Sequence, residues 1–390
     1  MRLSCDDLSM FFDAGHAELA NRLRDAAPAF EAIEAPGAYP SESECDRAAA
    51  LALGETALFR LVVPTDDISG SRGPIDTRGV CLAREMLGYV SPRADSIFAV
   101  QGLGTHAIAL AGSPEQKQRL TSYARGAAIA AFALTEPEAG SDVAAVATRA
   151  APTANGYRID GDKLFISNLG IADHATVIAT TEPSLGTHGL AAFWVPLDAP
   201  GVRVIPMRAT APHPIGALEL RGVEVPASAR IGEVGQGMKL ALQTLDAFRV
   251  SVGAAAVGMA RRAFDEALGF VTRRSQFGKP LSEQQLVQAH LADMMVDLDS
   301  ARLLVYRAAH RKDTTGGRVT TEVSIAKLGA TEAASRVIDR AVQLFGGRGV
   351  MAGAVVEHLY RAIRPLRIYE GTSEIQRTII GRALAQGAKA

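Results

Sequence analysis

Apolar residues recur three and four positions apart from Leu8 to about Arg125, in segments such as LANRLRDAA (19–27) and CLAREMLGYV (81–90). This spacing predicts several short amphipathic helices. The turn-rich stretch PTDDISGSRGP (64–74) interrupts them and reads as a surface connection. Around residue 150 the period changes. GYRIDGDKLFI (156–166) reads as two extended runs joined at Asp160-Gly161, a dipeptide suited to the φ > 0 positions of a tight hairpin. Further β-rich runs, ATVIATT, LAAFWVPL, VRVIPM and VEVP, are each bounded by Gly, Pro or Asp. From Gly237 helical periodicity returns over roughly 238–273, 283–312, 320–345 and 371–386. Ser282 with Gln285, and Ser373 with Gln376, have capping-box spacing. Gly278-Lys279-Pro280 and Gly316-Gly317 separate neighbouring helices. The expected fold is mainly α with a central β domain: an N-terminal helical domain (1–130), a small β-barrel-like domain (131–235) and a C-terminal four-helix bundle (236–390).

Composition narrows the function classes. The 390 residues carry 41 basic and 42 acidic side chains, which leaves no electrostatic footprint for nucleic acid or another polyanion. Aromatics are only 5%, and much of the 48% apolar content is alanine at helical spacing, which argues against an all-β fold. Cys5, Cys45 and Cys81 are far apart and lack CxxC spacing, so neither a disulfide framework nor a zinc site is expected. The longest purely apolar run, Ala127 to Leu134, falls short of the ~18 residues that suggest a membrane span. Acids interrupt the N-terminus where a signal peptide needs an apolar core. The expectation is a soluble, cytoplasmic protein without membrane or nucleic-acid partners. None of the eight histidines forms an HExxH or HxxxH pair, so no metal site is expected. A G-x-S-x-G elbow and a GxxxxGK[ST] phosphate loop are also absent from the sequence.

Three segments combine residues able to do chemistry. In FALTEPEAGSD (132–142), Thr135, Gly140 and Ser141 offer hydroxyls and backbone N–H groups to a polar ligand, or simply form a capped loop. In RRSQFGKPL (273–281), Arg274 and Lys279 flank Phe277, a set suited to a phosphate beside a flat ring, or to a solvated helix end. In LRIYEGTSEIQR (366–377), Glu370 is either a partly desolvated general base or a surface glutamate. GRGVMA (347–352) fits the dinucleotide pattern G-x-G-x-x-A, with Glu370 downstream in place of the ribose-binding acid. That pattern requires a preceding strand, whereas IAKLGATEAASRVIDRAVQLF has helical spacing throughout. Gly346 and Gly347 are therefore expected to end a helix.

Taken in order, ALTEPEAGSD, GDKLFISN, LDAFR, RRSQFGKPL with QQLVQAHLADM, AVQLFGGRG and IYEGTSEIQR resemble the flavin-dependent acyl-CoA dehydrogenase family from about residue 80 to 386. The resemblance implies that same three-domain fold, usually a dimer of dimers, with FAD between the β domain and the bundle. Phe132, Leu134, Thr135, Gly140, Ser141, Phe165 and Ser167 match positions at the flavin ring and ribityl chain. Arg274, Gln276, Phe277 and Gln285, with Gln343 and Gly347 nearby, match positions reaching the pyrophosphate and adenosine of a neighbouring subunit. Thr372 and Glu374 match further FAD contacts. Substrate contacts fall to Ser141, Asp246, Arg249, Tyr369 and Gly371. Ile97, Phe98 and Leu103 are candidate walls for the acyl tail.

Glu370 matches the family's base, which takes the α-proton of the thioester as a β-hydride leaves for the flavin. Some members place the base beside the arginine of LDxxR; here that position is Phe248, next to Arg249. The resemblance implies an acyl-CoA substrate, an electron-transfer flavoprotein as acceptor, and a homotetramer or homodimer. Its alternatives are an acyl group on a carrier protein, or oxygen as acceptor; a non-catalytic helical scaffold and an NAD-dependent Rossmann enzyme are more distant readings. Two departures stand out: Phe165 occupies a common tryptophan position, and Ala362 replaces the aspartate of an Arg-Asp pair. The first 75 residues match weakly.

Overall fold

The computed structural model describes residues 3–65, 75–315 and 319–387. Most of the connection expected at 64–74, and the Gly316-Gly317 break, lie outside the described residues. Helices α1 (Ala14–Ile33), α2 (Glu42–Glu55), α3 (Thr77–Val90), α4 (Pro92–Ala111) and α5 (Pro114–Ala124) occupy the N-terminal stretch, as the periodicity predicts. Side chains start several of them: Asp13 caps α1, Ser41 caps α2, and Ser113 forms a reciprocal box with Gln116 at α5. On α1, Leu19, Leu23, Ala27 and Phe30 are buried at intervals of three and four.

The sheet contains β1 (Ala130–Ala133), β2 (Arg149–Thr153), β3 (Gly156–Ser167), β4 (His174–Thr180), β5 (Leu190–Pro196), β6 (Val202–Pro206), β7 (Ile215–Pro226) and β8 (Arg230–Ile231). Its order is β6-β7-β3-β2-β4-β5-β8, with β1 pairing parallel to β4. The hairpin expected at Asp160-Gly161 is not there. Asp160 and Gly161 lie within the continuous strand β3, and the tight turn falls at Ala154-Asn155, where Thr153 pairs with Gly156. Pairing to β7 carries β3 past that point with a register shift between Ile159 and Gly161. The glycine serves a bulge instead of a turn, at φ +155, because a Cβ there would lie 2.5 Å from Thr148 Oγ1.

Beyond the sheet come α6 (Gly237–Arg273), the two-residue strands β9 (Ser275–Gln276) and β10 (Lys279–Pro280), α7 (Gln285–Thr315), α8 (Thr320–Phe345), α9 (Val355–Ile363) and α10 (Ser373–Gly387). Both expected caps move. Ser282 sits in a 3-10 turn, and Gln284, in an extended conformation, stands before α7. The hydroxyl of Thr372, not Ser373, accepts the Ile375 N–H at 3.3 Å and caps α10. Phe345 ends α8 and Gly346 follows at φ +58, so a helix precedes the glycines and the Rossmann pattern fails. By length and composition α6 passes the test for a membrane span, yet 72% of its apolar window is buried inside the protein, as in a core helix.

The chain forms two compact units. The first comprises residues 1–38, 76–95 and 249–390. In it, α6 from Arg249, α7, α8 and α10 build the helical bundle, joined by α1, α3 and α9. A Cβ placed on Gly253 of α6 would touch Val305 of α7 and Ala330 of α8, which shows how closely these helices pack. Arg302 is buried in this unit and binds Glu85 at 2.9 Å, Asp7 at 2.7 Å and the Ser4 carbonyl at 2.6 Å. The second unit comprises 39–75 and 96–248. Its sheet core includes Val177, Phe193, Val195, Leu218 and Leu220, all without solvent contact. In the same unit Gln101 of α4 joins α5 to β1, donating to the Tyr123 and Ala128 carbonyls and accepting the Ala130 N–H.

Candidate active site

In the bundle unit, Glu370 lies between a 3-10 turn at Arg364–Arg367 and the start of α10. Glu370 and Gly371 are both left-handed, at φ +53 and +91. Three donors hold their carbonyls. Arg249 Nε reaches Glu370 O at 3.2 Å, Lys327 Nζ reaches Gly371 O at 2.8 Å, and Gln376 Nε2 reaches Gly371 O at 3.0 Å. At φ +91 Gly371 holds a conformation that other residues rarely adopt, and a Cβ there would displace the Gln376 amide, 2.5 Å away.

The carboxylate itself is left over. Glu370 Oε2 is buried and has no hydrogen-bond partner. Burial pushes its pKa above the usual carboxylate range, against the opposing charges of Arg84, Arg249 and Lys327. Arg84 is committed elsewhere, forming a bidentate pair with Asp95 at 2.8 Å on both arms and donating to Ser251 Oγ at 3.1 Å. Burial likewise raises the Tyr369 phenol. A carboxylate oxygen with no protein partner is available to a ligand and able to take a proton.

Three other candidate groups lie in this unit. The β9–β10 hairpin turns at Phe277 and Gly278, φ +53 and +79, the conformation a two-residue hairpin requires. Phe277 is 95% exposed, and Arg274, Gln276 and Gln285 are exposed beside it in the chain. Gln343 and Gly347 are exposed at the end of α8. Thr372 caps α10 and Glu374 is exposed on its first turn.

The remaining positions are in the sheet unit. Phe132 is on β1, with Leu134 and Thr135 just beyond it, and Phe165 and Ser167 end β3. The Thr135 carbonyl accepts the Leu164 N–H at 2.9 Å, so the segment after β1 runs beside the end of β3. A second register shift, between Lys163 and Ile166, leaves Phe165 at φ +57 and 58% exposed. Beneath this edge the buried Lys163 ammonium donates to Leu134 O at 3.1 Å, Ile178 O at 2.7 Å and Glu136 Oε1 at 2.7 Å. Glu136 in turn accepts the Ala147 and Thr148 N–H groups at 2.7 and 3.0 Å, closing the loop that holds Gly140 and Ser141. Burial pushes Lys163 down to about 8, against the raising effect of Glu136. A Cβ on Gly140 meets nothing within 4 Å, and Ser141 is exposed. Exposed aromatic, open glycine and free hydroxyls suit a flat ring with a polar chain. Asp246 is half-buried on α6. Ile97 and Phe98 have no solvent contact and Leu103 keeps 7%, so all three are core positions of this unit.

Family models for the acyl-CoA dehydrogenase middle domain and C-terminal domain match residues 131–223 and 235–385. A probable acyl-CoA dehydrogenase of Mycobacterium tuberculosis, FadE25, is 36% identical over 378 residues, covering 95% of each chain. This chain belongs to the acyl-CoA dehydrogenase family. A glutaryl-CoA dehydrogenase of Mycobacterium smegmatis, solved in complex with FADH2, superposes at a TM-score of 0.87 with 28% identity, covering 97% of this chain and 96% of that one. A structure described as an electron transferring flavoprotein of Acidaminococcus fermentans superposes at 0.86 with 31% identity, over 96% and 98% of the two chains.

Within this acyl-CoA dehydrogenase fold, Lys327, Gln376, the Arg84–Asp95 pair and the Lys163–Glu136 pair were not candidates on sequence. One signal was there to find. Lys327 follows Val323 by four and precedes Ala330 by three, so it occupies the apolar stripe of its helix.

Proposed function

We propose that this flavoenzyme oxidises an acyl-CoA thioester to its trans-2-enoyl-CoA, with Glu370 as the general base. The observation carrying this reading is the buried, unpartnered Oε2 of Glu370, on a backbone pair held by three donors. FAD, when bound, accepts the hydride from the substrate β-carbon. Glu370 takes the α-proton, its carboxylate becomes a carboxylic acid, and the electron pair left behind forms the Cα–Cβ double bond. The Glu370 N–H is assigned to the thioester carbonyl, where a donor stabilises developing enolate charge. Phe132, Leu134, Thr135 and Phe165 are assigned to the flavin ring, and Gly140, Ser141 and Ser167 to the ribityl chain and its approach. Arg274, Gln276, Phe277 and Gln285, with Gln343, Gly347, Thr372 and Glu374, are assigned to the pyrophosphate and adenosine. Asp246, Arg249 and Tyr369 are assigned to the substrate. An electron-transfer flavoprotein is the proposed acceptor.

The test is anaerobic titration of the FAD-loaded protein with short-, medium- and long-chain acyl-CoA, followed by loss of the oxidised flavin band. Bleaching by at least one chain-length class is expected. Protein that binds FAD and bleaches with none of them would overturn the reading.

A further inference from the structure

We infer that Lys327 is a positioning residue for the base: its ammonium, buried against the Gly371 carbonyl, holds the carboxylate in place and in its ionised form. This rests on the reading of Glu370 as the base and deepens it.

A glutamate in the left-handed region is strained and persists only where its surroundings over-determine it. Arg249 and Gln376 supply part of that determination, and each has a short explanation. Gln376 is in the first turn of α10, close in sequence to the carbonyls it binds, and Arg249 matches a substrate position. Lys327 comes from α8, 43 or 44 residues away, and is wholly buried. A lysine buried for packing alone takes a carboxylate partner, as Lys163 takes Glu136. Lys327 has none within ion-pair distance among the described residues; its hydrogen bond goes to the Gly371 carbonyl.

The charges facing it are Glu370 first, then Arg249, Glu332 and Glu374. Those facing Glu370 are Arg84, Arg249 and Lys327, with Asp95 opposing them. Arg84 is already neutralised by its bidentate pair with Asp95, and Arg249 is engaged with the peptide carbonyl. Lys327, which has no ion-pair partner among the described residues, therefore acts beside Arg84 and Arg249 to offset the burial of the Glu370 carboxylate. Burial brings Lys327 itself down to about 8, which leaves it mainly charged at neutral pH.

The experiment compares Lys327→Met, Lys327→Gln and Lys327→Arg with wild type as FAD-loaded enzymes, using the best acyl-CoA from the titration. Flavin content, acyl-CoA affinity and the pH profile of the bleaching rate are read for each. In Lys327→Met, flavin and substrate should bind normally, while the rate at saturating substrate falls by about 10²-fold, as for a misplaced catalytic group. The acid limb should move up by roughly one pH unit, because a cation facing the carboxylate is gone. Lys327→Gln keeps a donor without the charge and should show the same upward limb; Lys327→Arg keeps the charge and should leave the limb near wild type. An unshifted limb in Met and Gln variants overturns the inference, whatever happens to stability, since a merely structural lysine would not move it. The parent reading is separated by Glu370→Gln. If that variant still bleaches, the base is misassigned; if it is inert while the lysine variants behave as wild type, only the present inference falls.

Discussion

Among the described residues, five other than glycine hold a positive φ, and three of them are Phe165, Phe277 and Glu370. All three are candidates for the cofactor or the chemistry, and strain of this kind gathers where function over-rides local preference. Two predictions belong to single side chains. Glu370→Gln keeps size and hydrogen bonding but loses the basic oxygen, so FAD should still bind while anaerobic bleaching falls by at least ~100-fold. In wild type the same carboxyl must be ionised to accept a proton. Its burial-raised pKa therefore places the acid limb of the bleaching rate above the usual glutamate range, with activity lost as pH falls through it. A limb at the ordinary value would mean that Glu370 is solvated in the working enzyme. The second concerns Glu136. Glu136→Gln leaves the Lys163 ammonium buried without its counter-charge, which costs roughly 3–5 kcal/mol when one partner of such a pair is removed. The melting temperature should drop sharply and the 137–146 loop should become sensitive to protease; an unchanged melting curve would show that water reaches Lys163.

At the scale of elements, the period of the sequence was a good guide and its local punctuation was not. The long helices were legible because α8, for example, keeps Val323, Ala326, Ala330, Ala334, Val337 and Ala341 on one face. Asp160-Gly161 misled because a dipeptide that permits φ > 0 serves a bulge as well as a turn, and only pairing with β7 decides between them. The α10 cap misled by one residue for a related reason. Thr372, Ser373 and Gln376 all fit the pattern, but the Gln376 amide is drawn to the Gly371 carbonyl and Ser373 Oγ donates to Glu332 at 2.7 Å, which leaves the cap to Thr372. The three donors that hold Glu370 stayed hidden in the sequence because they come from three helices, and no spacing records that convergence. Thr372→Ala should therefore weaken the first turn of α10 by about 1 kcal/mol, read as roughly five-fold faster hydrogen exchange at the Ile375 amide. Ser373→Ala should leave that amide near wild type, and the reverse ranking would restore the cap to Ser373.

At the scale of the whole molecule, the β9–β10 hairpin is the feature a lone chain explains least. Phe277 is 95% exposed at the turn, with Arg274 and Gln276 exposed next to it, and an ordinary solvent-facing hairpin gives no reason to hold a bare phenylalanine at φ +53. A hairpin made to present an aromatic ring and cationic donors is suited to a nucleotide bound by a second copy of the chain. The expected outcome is that FAD-loaded protein is a dimer or tetramer by light scattering, and that Arg274→Ala and Phe277→Ala each weaken FAD binding by about ten-fold, the loss of one charge-assisted bond or one stacked ring. Neither substitution touches the bundle core, so the melting temperature of flavin-free protein should stay within a degree or two of wild type. Removal of FAD should shift the assembly toward smaller species if the nucleotide bridges two chains. Monomeric holoprotein with unchanged FAD affinity in both variants would place the adenosine end of the cofactor elsewhere, on residues of the same chain.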